Sequence, residues 1–229
     1  GMIYKLSKFN VNSDKHTGSD LMNLKIDDID KVVLLGGGRL LLALAQWCQS
    51  KGTPISVVTA PRHAAEIIEN GKSLNEILCS ENIPLLVAED VAAKEVSEFL
   101  GDLSNAFCLS ISGAWIFKKE TIGNLFHGKL FNVHGTRLPQ NRGGGGRSWQ
   151  IMMGVRLGFC QLHLVDGGVD TGNIVRTEEF LYPSICRIPK DYDEIDLSKN
   201  VSFVTNFIEE ILSGGIDTET SSQTEYFSS

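Results

Sequence analysis

The chain of 229 residues reads as an α/β protein: a mainly parallel, Rossmann-like sheet with helices on both faces and an antiparallel strand pair at one side. Three observations predict this. Short, almost wholly apolar runs recur at VVLLGGG, ISVVTA, IPLLVA, AFCLSIS and LFNVH, the pattern of strands buried on both faces. Segments of helical character separate them, which is the alternation of a parallel sheet. The last two apolar runs, LGFCQLHLV and NIVRTEEFL, are joined by only a glycine-rich turn, DGGVDTG, and so read as antiparallel neighbours.

In chain order, residues 2–30 are polar and without a clean period. They read as an N-terminal extension of weak structure, with a loop-like patch from Asn12 to Asp20 and with Gly1 an added residue ahead of Met2. From Lys31 a buried strand runs into a glycine turn at Gly36–Gly38. RLLLALAQWCQSKG is a helix closed by Gly52. The strand ISVVTA follows Pro54. Residues Pro61 to Asn70 predict a helix, and Ser73 to Ser80 a second, shorter one. IPLLVA is the third strand, and a helix from about Asp90 to Leu100 leads to AFCLSIS and then LFNVH. After the antiparallel pair at 157–165 and 173–181 comes a polar stretch, 187–198. Val201 to Leu212 has helical spacing. The tail from Ser213, rich in Ser, Thr and Gly, reads as flexible. The expected division is an extension (1–30), a central domain (31–185) and a C-terminal helix with its tail (186–229).

Twenty-eight acidic against 21 basic residues give a net charge of −7, which argues against a large non-specific nucleic-acid surface. No apolar run approaches the roughly 20 residues that span a bilayer. The N-terminus has no secretory h-region, so the expected location is cytoplasmic. The five cysteines (Cys48, Cys79, Cys108, Cys160 and Cys186) form no CxxC element and read as buried, reduced thiols rather than a zinc site or a nucleophile. No metal site is expected.

Two places carry candidate chemistry. The strand, glycine turn and helix start at Gly36–Gly38 can cradle a phosphate of an acceptor. They can equally be a tight turn without a ligand. A dinucleotide is disfavoured because Leu41 stands where G-x-G-x-x-G needs its third glycine. The second place is Phe131 to Gly172. Ligands of open α/β sheets bind beyond the carboxyl ends of the strands, where Asn132 and His134 lie. Their spacing of two puts both side chains on one face of an extended segment. An asparagine amide suits an oxygen that gains negative charge, and an imidazole holds or moves a proton near neutral pH. Asp170 sits in a glycine-flanked loop of the same sheet. The three together point to acyl transfer.

These residues carry a family likeness. NVHGTRLPQNRG, from Asn132 to Gly143, and VDGGVDTG, from Val165 to Gly172, resemble the N-x-H-x-S-x-L-P-x-x-R-G and V-D-x-G-x-D-T-G motifs of the folate-dependent formyltransferases. That family includes methionyl-tRNA, glycinamide ribonucleotide and amino-sugar formyltransferases, and the likeness extends over roughly residues 31–182. It implies that Asn132, His134 and Asp170 are catalytic, and that the co-substrate is 10-formyltetrahydrofolate. Trp115, Ile116 and Phe117 would line the pterin site, with the backbone of Gly167, Gly168 and Val169 at the pterin's polar edge. The acceptor would meet Gly36, Gly37, Gly38, Thr136, Arg142 and Arg147. In the implied mechanism an amine attacks the formyl carbon. His134 and Asn132 stabilise the oxyanion. Asp170 keeps the imidazole oriented and cationic, or accepts the amine proton through a water. The chain departs from the motif at Gly135 (usually proline), at Thr136 (usually serine) and at the four-glycine loop followed by Arg147, Ser148 and Trp149. With the acidic charge and no room for a C-terminal tRNA-binding domain, the expected partner is a small-molecule amine such as an amino-sugar nucleotide, with no nucleic acid and no membrane. Hydrolysis of the same donor, or ligand binding without turnover, are the rival readings.

Overall fold

A computed structural model describes residues 22–142 and 146–223. Strand β1 (Met22–Ile26) precedes β2 (Lys31–Gly36), helix α1 (Gly38–Ser50), β3 (Ile55–Thr59) and α2 (Pro61–Ala64). A hairpin, β4 (Ile67–Glu69) and β5 (Lys72–Ser73), leads to α3 (Leu74–Ser80), β6 (Leu85–Val87), α4 (Lys94–Leu100) and β7 (Ala106–Ile111). Then come α5 (Lys119–Asn124), β8 (Leu130–His134), α6 (Gly146–Met152), β9 (Leu157–Leu164), β10 (Ile174–Leu181), α7 (Pro189–Leu212) and β11 (Ile216–Thr220).

Seven strands make one sheet in the order β10-β9-β8-β7-β2-β3-β6. The five strands from β8 to β6 run parallel, and β9 and β10 are antiparallel additions at the β8 side. The expected fold class is therefore the observed one. The apolar runs alternate strictly between the two faces. Val32, Leu34, Phe107, Leu109 and Phe131 pack with α1, α3 and α7 on one side. Val33, Leu35, Cys108 and Leu130 pack with α4 and α5 on the other. Strand order reverses between β2 and β7. The crevice above that switch point and the adjoining end of β8 is where this topology admits a ligand.

Three expected elements differ. The helix predicted over Pro61 to Asn70 stops at Ala64, and Ile67–Glu69 turns back on Lys72–Ser73. Asn70 and Gly71 both have positive φ (51° and 74°), the Asn-Gly hairpin chemistry that overrode the helical spacing. The polar stretch 187–198 is the first half of α7. Pro189 starts the helix, and Asp191 Oδ2 accepts from the backbone N–H of Arg187 and Ile188 at 2.8 and 3.2 Å. Only Tyr192, Asp196 and Asn200, four residues apart, are buried there, so the segment is polar because most of its surface faces water. Finally, the extension and the tail, expected to be weakly structured, pair as β1 with β11 in an antiparallel ribbon. Leu24, Ile26 and Ile216 bury their side chains in the core shared with α1 and α7. A pairing across some 190 residues leaves no local trace in either short segment. The loop-like patch Asn12 to Asp20 lies outside the described residues.

Candidate active site

The site grows out of strand register. Ser110 of β7 is paired with Asn132 of β8, and Asn132 with His163 of β9. The three polar side chains therefore form a row across the carboxyl end of the parallel strands, on one face of the sheet. His163 and Ser110 are buried. His163 Nδ1 lies 2.8 Å from the carbonyl of Leu164, which can only accept, so Nδ1 carries the proton. Nε2 is then the acceptor for the Asn132 amide at 3.0 Å. That bond sets the Asn132 carboxamide with its Nδ2 toward the cleft, and a second amide contact reaches Asp170 Oδ1 at 3.5 Å.

His134 is fixed from the other side. Its Nε2 donates to the carbonyl of Asn141 at 2.8 Å, with the Thr136 hydroxyl 2.7 Å from the same nitrogen and itself donating to that carbonyl at 3.2 Å. The open nitrogen is Nδ1, 3.6 Å from Asp170 Oδ2. Burial depresses the His134 pKa below its ordinary value, although the Asn141 carbonyl and the Asp170 charge pull it up. Desolvation is the larger effect, so the resting imidazole favours its neutral form.

The loop between β9 and β10 delivers Asp170. Asp166 Oδ1 accepts from Gly168 N at 3.1 Å and from the Thr171 hydroxyl at 2.7 Å, which closes the turn. A Cβ on Gly172 would stand 1.7 Å from the carbonyl of Leu164, so glycine alone lets the loop rejoin the strand. Asp170 adopts φ 51°, a left-handed conformation that aspartate tolerates, and its carboxylate returns toward both histidines. His163 Nε2 is 3.4 Å from Asp170 Oδ1.

These groups sit in a cleft of about 570 Å³. Trp115, Ile116, Phe117, Gly168 and Val169 line it. Ile116 and Val169 are 82% and 60% exposed, apolar groups left in water at the cleft's edge. Gly167 stands behind the lining, against Lys119 and the Phe117 carbonyl. Among the described residues the lining carries two carboxylates, Asp166 and Asp170, and no lysine or arginine.

The other expected acceptor residues are dispersed. Gly36–Gly38 sit beside the cleft rather than in its wall. A Cβ at Gly36 would stand 1.8 Å from the Ile111 carbonyl, and one at Gly37 would be 2.5 Å from the His63 ring, so both glycines have packing reasons. Arg62 joins them, donating to the Gly113 carbonyl at 2.9 Å on the cleft rim. Thr136 is buried against His134 and does not face the cleft. Arg142 turns away to Gln223, donating through Nε at 3.0 Å. The side chain of Arg147 and residues Gly143–Gly145 lie outside the described residues. Sequence reasoning missed His163 and Ser110. The signal was the alternation in QLHLV, with His163 two residues from the turn, but its facing residue depends on register. Among the described residues no cluster of His, Cys, Asp and Glu could hold a metal ion.

Fold and motifs together define the formyltransferase fold class. No family model matches the chain. Among curated proteins it is similar to methionyl-tRNA formyltransferases: 30% identical over 108 residues to that of Clostridium tetani (47% of this chain, 34% of the relative), and 23% over 171 residues to that of Myxococcus xanthus (69% and 54%). The chain thus spans about a third to a half of these relatives. Among solved structures it is similar to the sugar 3N-formyl transferase WlaRD, crystallised with dTDP and 5-N-formyl-THF (TM-score 0.66, 21% identity, 88% of this chain and 69% of that one). It is similar also to an N-formyltransferase of Helicobacter canadensis in complex with folinic acid and dTDP-3-aminofucose (TM-score 0.65, 19% identity, 88% and 70%). A formyltetrahydrofolate deformylase of Pseudomonas syringae has the same fold (TM-score 0.59, 14% identity, 81% and 62%).

Proposed function

We propose that this chain transfers the formyl group of 10-formyltetrahydrofolate to the amine of a small molecule, with an amino-sugar nucleotide as the acceptor class. The observation that carries the reading is the convergence of Asn132 Nδ2, the open Nδ1 of His134 and the Asp170 carboxylate at one end of a cleft with apolar walls. The two carboxylates, with no lysine or arginine beside them among the described residues, suit an amine acceptor and the donor-rich edge of a pterin, and the cleft is large enough for the latter.

In this mechanism the amine nitrogen attacks the formyl carbon and the carbonyl electron pair moves onto oxygen. Asn132 donates to that oxyanion. His134, neutral at rest, takes the amine proton at Nδ1, and Asp170 stabilises the resulting imidazolium. The tetrahedral centre then expels folate N10, which takes the proton back from His134. The products are a formamide and tetrahydrofolate. Phosphates of the acceptor would lie on the Gly36–Gly38 side, near Arg62.

The test incubates the protein with 10-formyltetrahydrofolate and a panel of amino-sugar nucleotides, amino sugars and amino acids, followed by mass spectrometry. A formylated amine with stoichiometric tetrahydrofolate is expected. Formate released without any amine would assign the hydrolase reading, which the deformylase neighbour motivates. Binding without either product would leave only a ligand-binding module.

A further inference from the structure

The two loops that carry the proposed chemistry are joined by a residue far outside both motifs. Gln223 follows β11, and its side chain is 2% exposed. Its Oε1 accepts from Arg142 Nε at 3.0 Å, and its Nε2 donates to the Gly172 carbonyl at 2.7 Å. Each contact is one step from a reacting group. Arg142 directly follows Asn141, whose carbonyl takes the His134 Nε2–H. Gly172 is two residues beyond Asp170 and is seated against the Leu164 carbonyl. The segment is docked along its length. Ser221 and Ile174 exchange two backbone hydrogen bonds of 2.9 Å, and the Thr220 hydroxyl accepts from Asn173 Nδ2 at 3.2 Å. One carboxamide thus ties the end of the first motif to the end of the second.

We infer that Gln223 is a positioning residue: it sets the His134–Asp170 geometry by holding Asn141–Arg142 and the 170–172 loop at a fixed separation. The inference rests on the proposed formyl transfer for its kinetic consequence, but not for its structural one. The amide is suited to the task because it offers one acceptor and one donor in a fixed plane. Loss of it frees both loops, and misplacement of a reacting group by about 1 Å costs up to about a hundredfold in rate.

The test compares Gln223→Ala, Gln223→Glu and, as a control on the exposed side of the same ribbon, Glu219→Ala. The first readout needs no substrate. In protein carrying ¹⁵N-histidine, long-range ¹H–¹⁵N spectra at pH 7 report the His134 tautomer. Wild type and Glu219→Ala are expected to show the Nε2–H form, and Gln223→Ala a mixture of tautomers. The second readout is steady-state transfer. Gln223→Ala is expected to lower kcat between about tenfold and a hundredfold, with the folate KM changed less than about twofold. Gln223→Glu keeps the acceptor for Arg142 and loses the donor to Gly172, so it falls between. Circular dichroism checks that each variant folds. If Gln223→Ala does not fold, Gln223→Glu carries the test. An unchanged His134 tautomer in the folded Gln223 variants, or an equal change in Glu219→Ala, overturns the inference. A wild-type protein without transfer would overturn the proposed reaction alone.

Discussion

His134 has one committed nitrogen and one open nitrogen, and the difference decides its role. Nε2–H is spent on Asn141, so Nδ1 is the basic atom that faces Asp170 and the cleft. Burial lowers its pKa, the direction that favours an unprotonated Nδ1, as the proposed mechanism requires. A sign follows for pH dependence. A required neutral base loses activity as pH falls through its pKa, so kcat is expected to decline on the acid side, below the ordinary histidine range. A decline as pH rises through that region would mean that the cation is the working form. In the proposed mechanism His163 acts through Asn132. In His163→Phe the amide loses its acceptor in a buried place, a cost of about 1–3 kcal/mol, which predicts a kcat lower by about 10- to 100-fold. Stopped-flow transfer assays measure it. Asn132, His134 and Asp170 were legible in the sequence because their types and spacing carry chemistry locally. His163, Ser110 and Gln223 were not, because their partners are set by strand register and by contacts across the fold.

At the scale of elements, the strands were read well and the turns less so. A parallel strand buried on both faces is written as a continuous apolar run, whatever surrounds it. The Asn70–Gly71 hairpin and the start of α7 depend on two or three residues of turn and cap chemistry, which helical spacing in the neighbouring sequence masked. The β9–β10 loop shows how much such residues control. In Gly172→Ala the new methyl meets the Leu164 carbonyl, which must shift together with the loop that carries Asp170. The variant is expected to lose on the order of 1–3 kcal/mol of stability, read as a drop of roughly 2–12 °C in Tm, together with most of its activity. Calorimetry beside the transfer assay checks both, and unchanged activity would show that the loop tolerates the shift.

The first and last strands of the described residues pair with each other. β1 and β11 clasp beside the sheet, and Leu24 lies in the core built on α1 and α7. Leu24→Ala is therefore expected to destabilise the protein by about 2–5 kcal/mol in urea unfolding, as a core truncation does and a truncation in a loose extension does not. The same ribbon leads to Gln223, so the clasp stabilises the fold and also holds the site. The central claim is that Asn132, His134 and Asp170 form one formyl-transfer centre. Single-turnover transfer from 10-formyltetrahydrofolate to an amine accepted by the wild type tests it most directly. Asn132→Ala, His134→Ala and Asp170→Asn, each folded by circular dichroism, are predicted to slow the step by at least about 10²–10³-fold. A wild-type rate in His134→Ala or Asp170→Asn would contradict the claim.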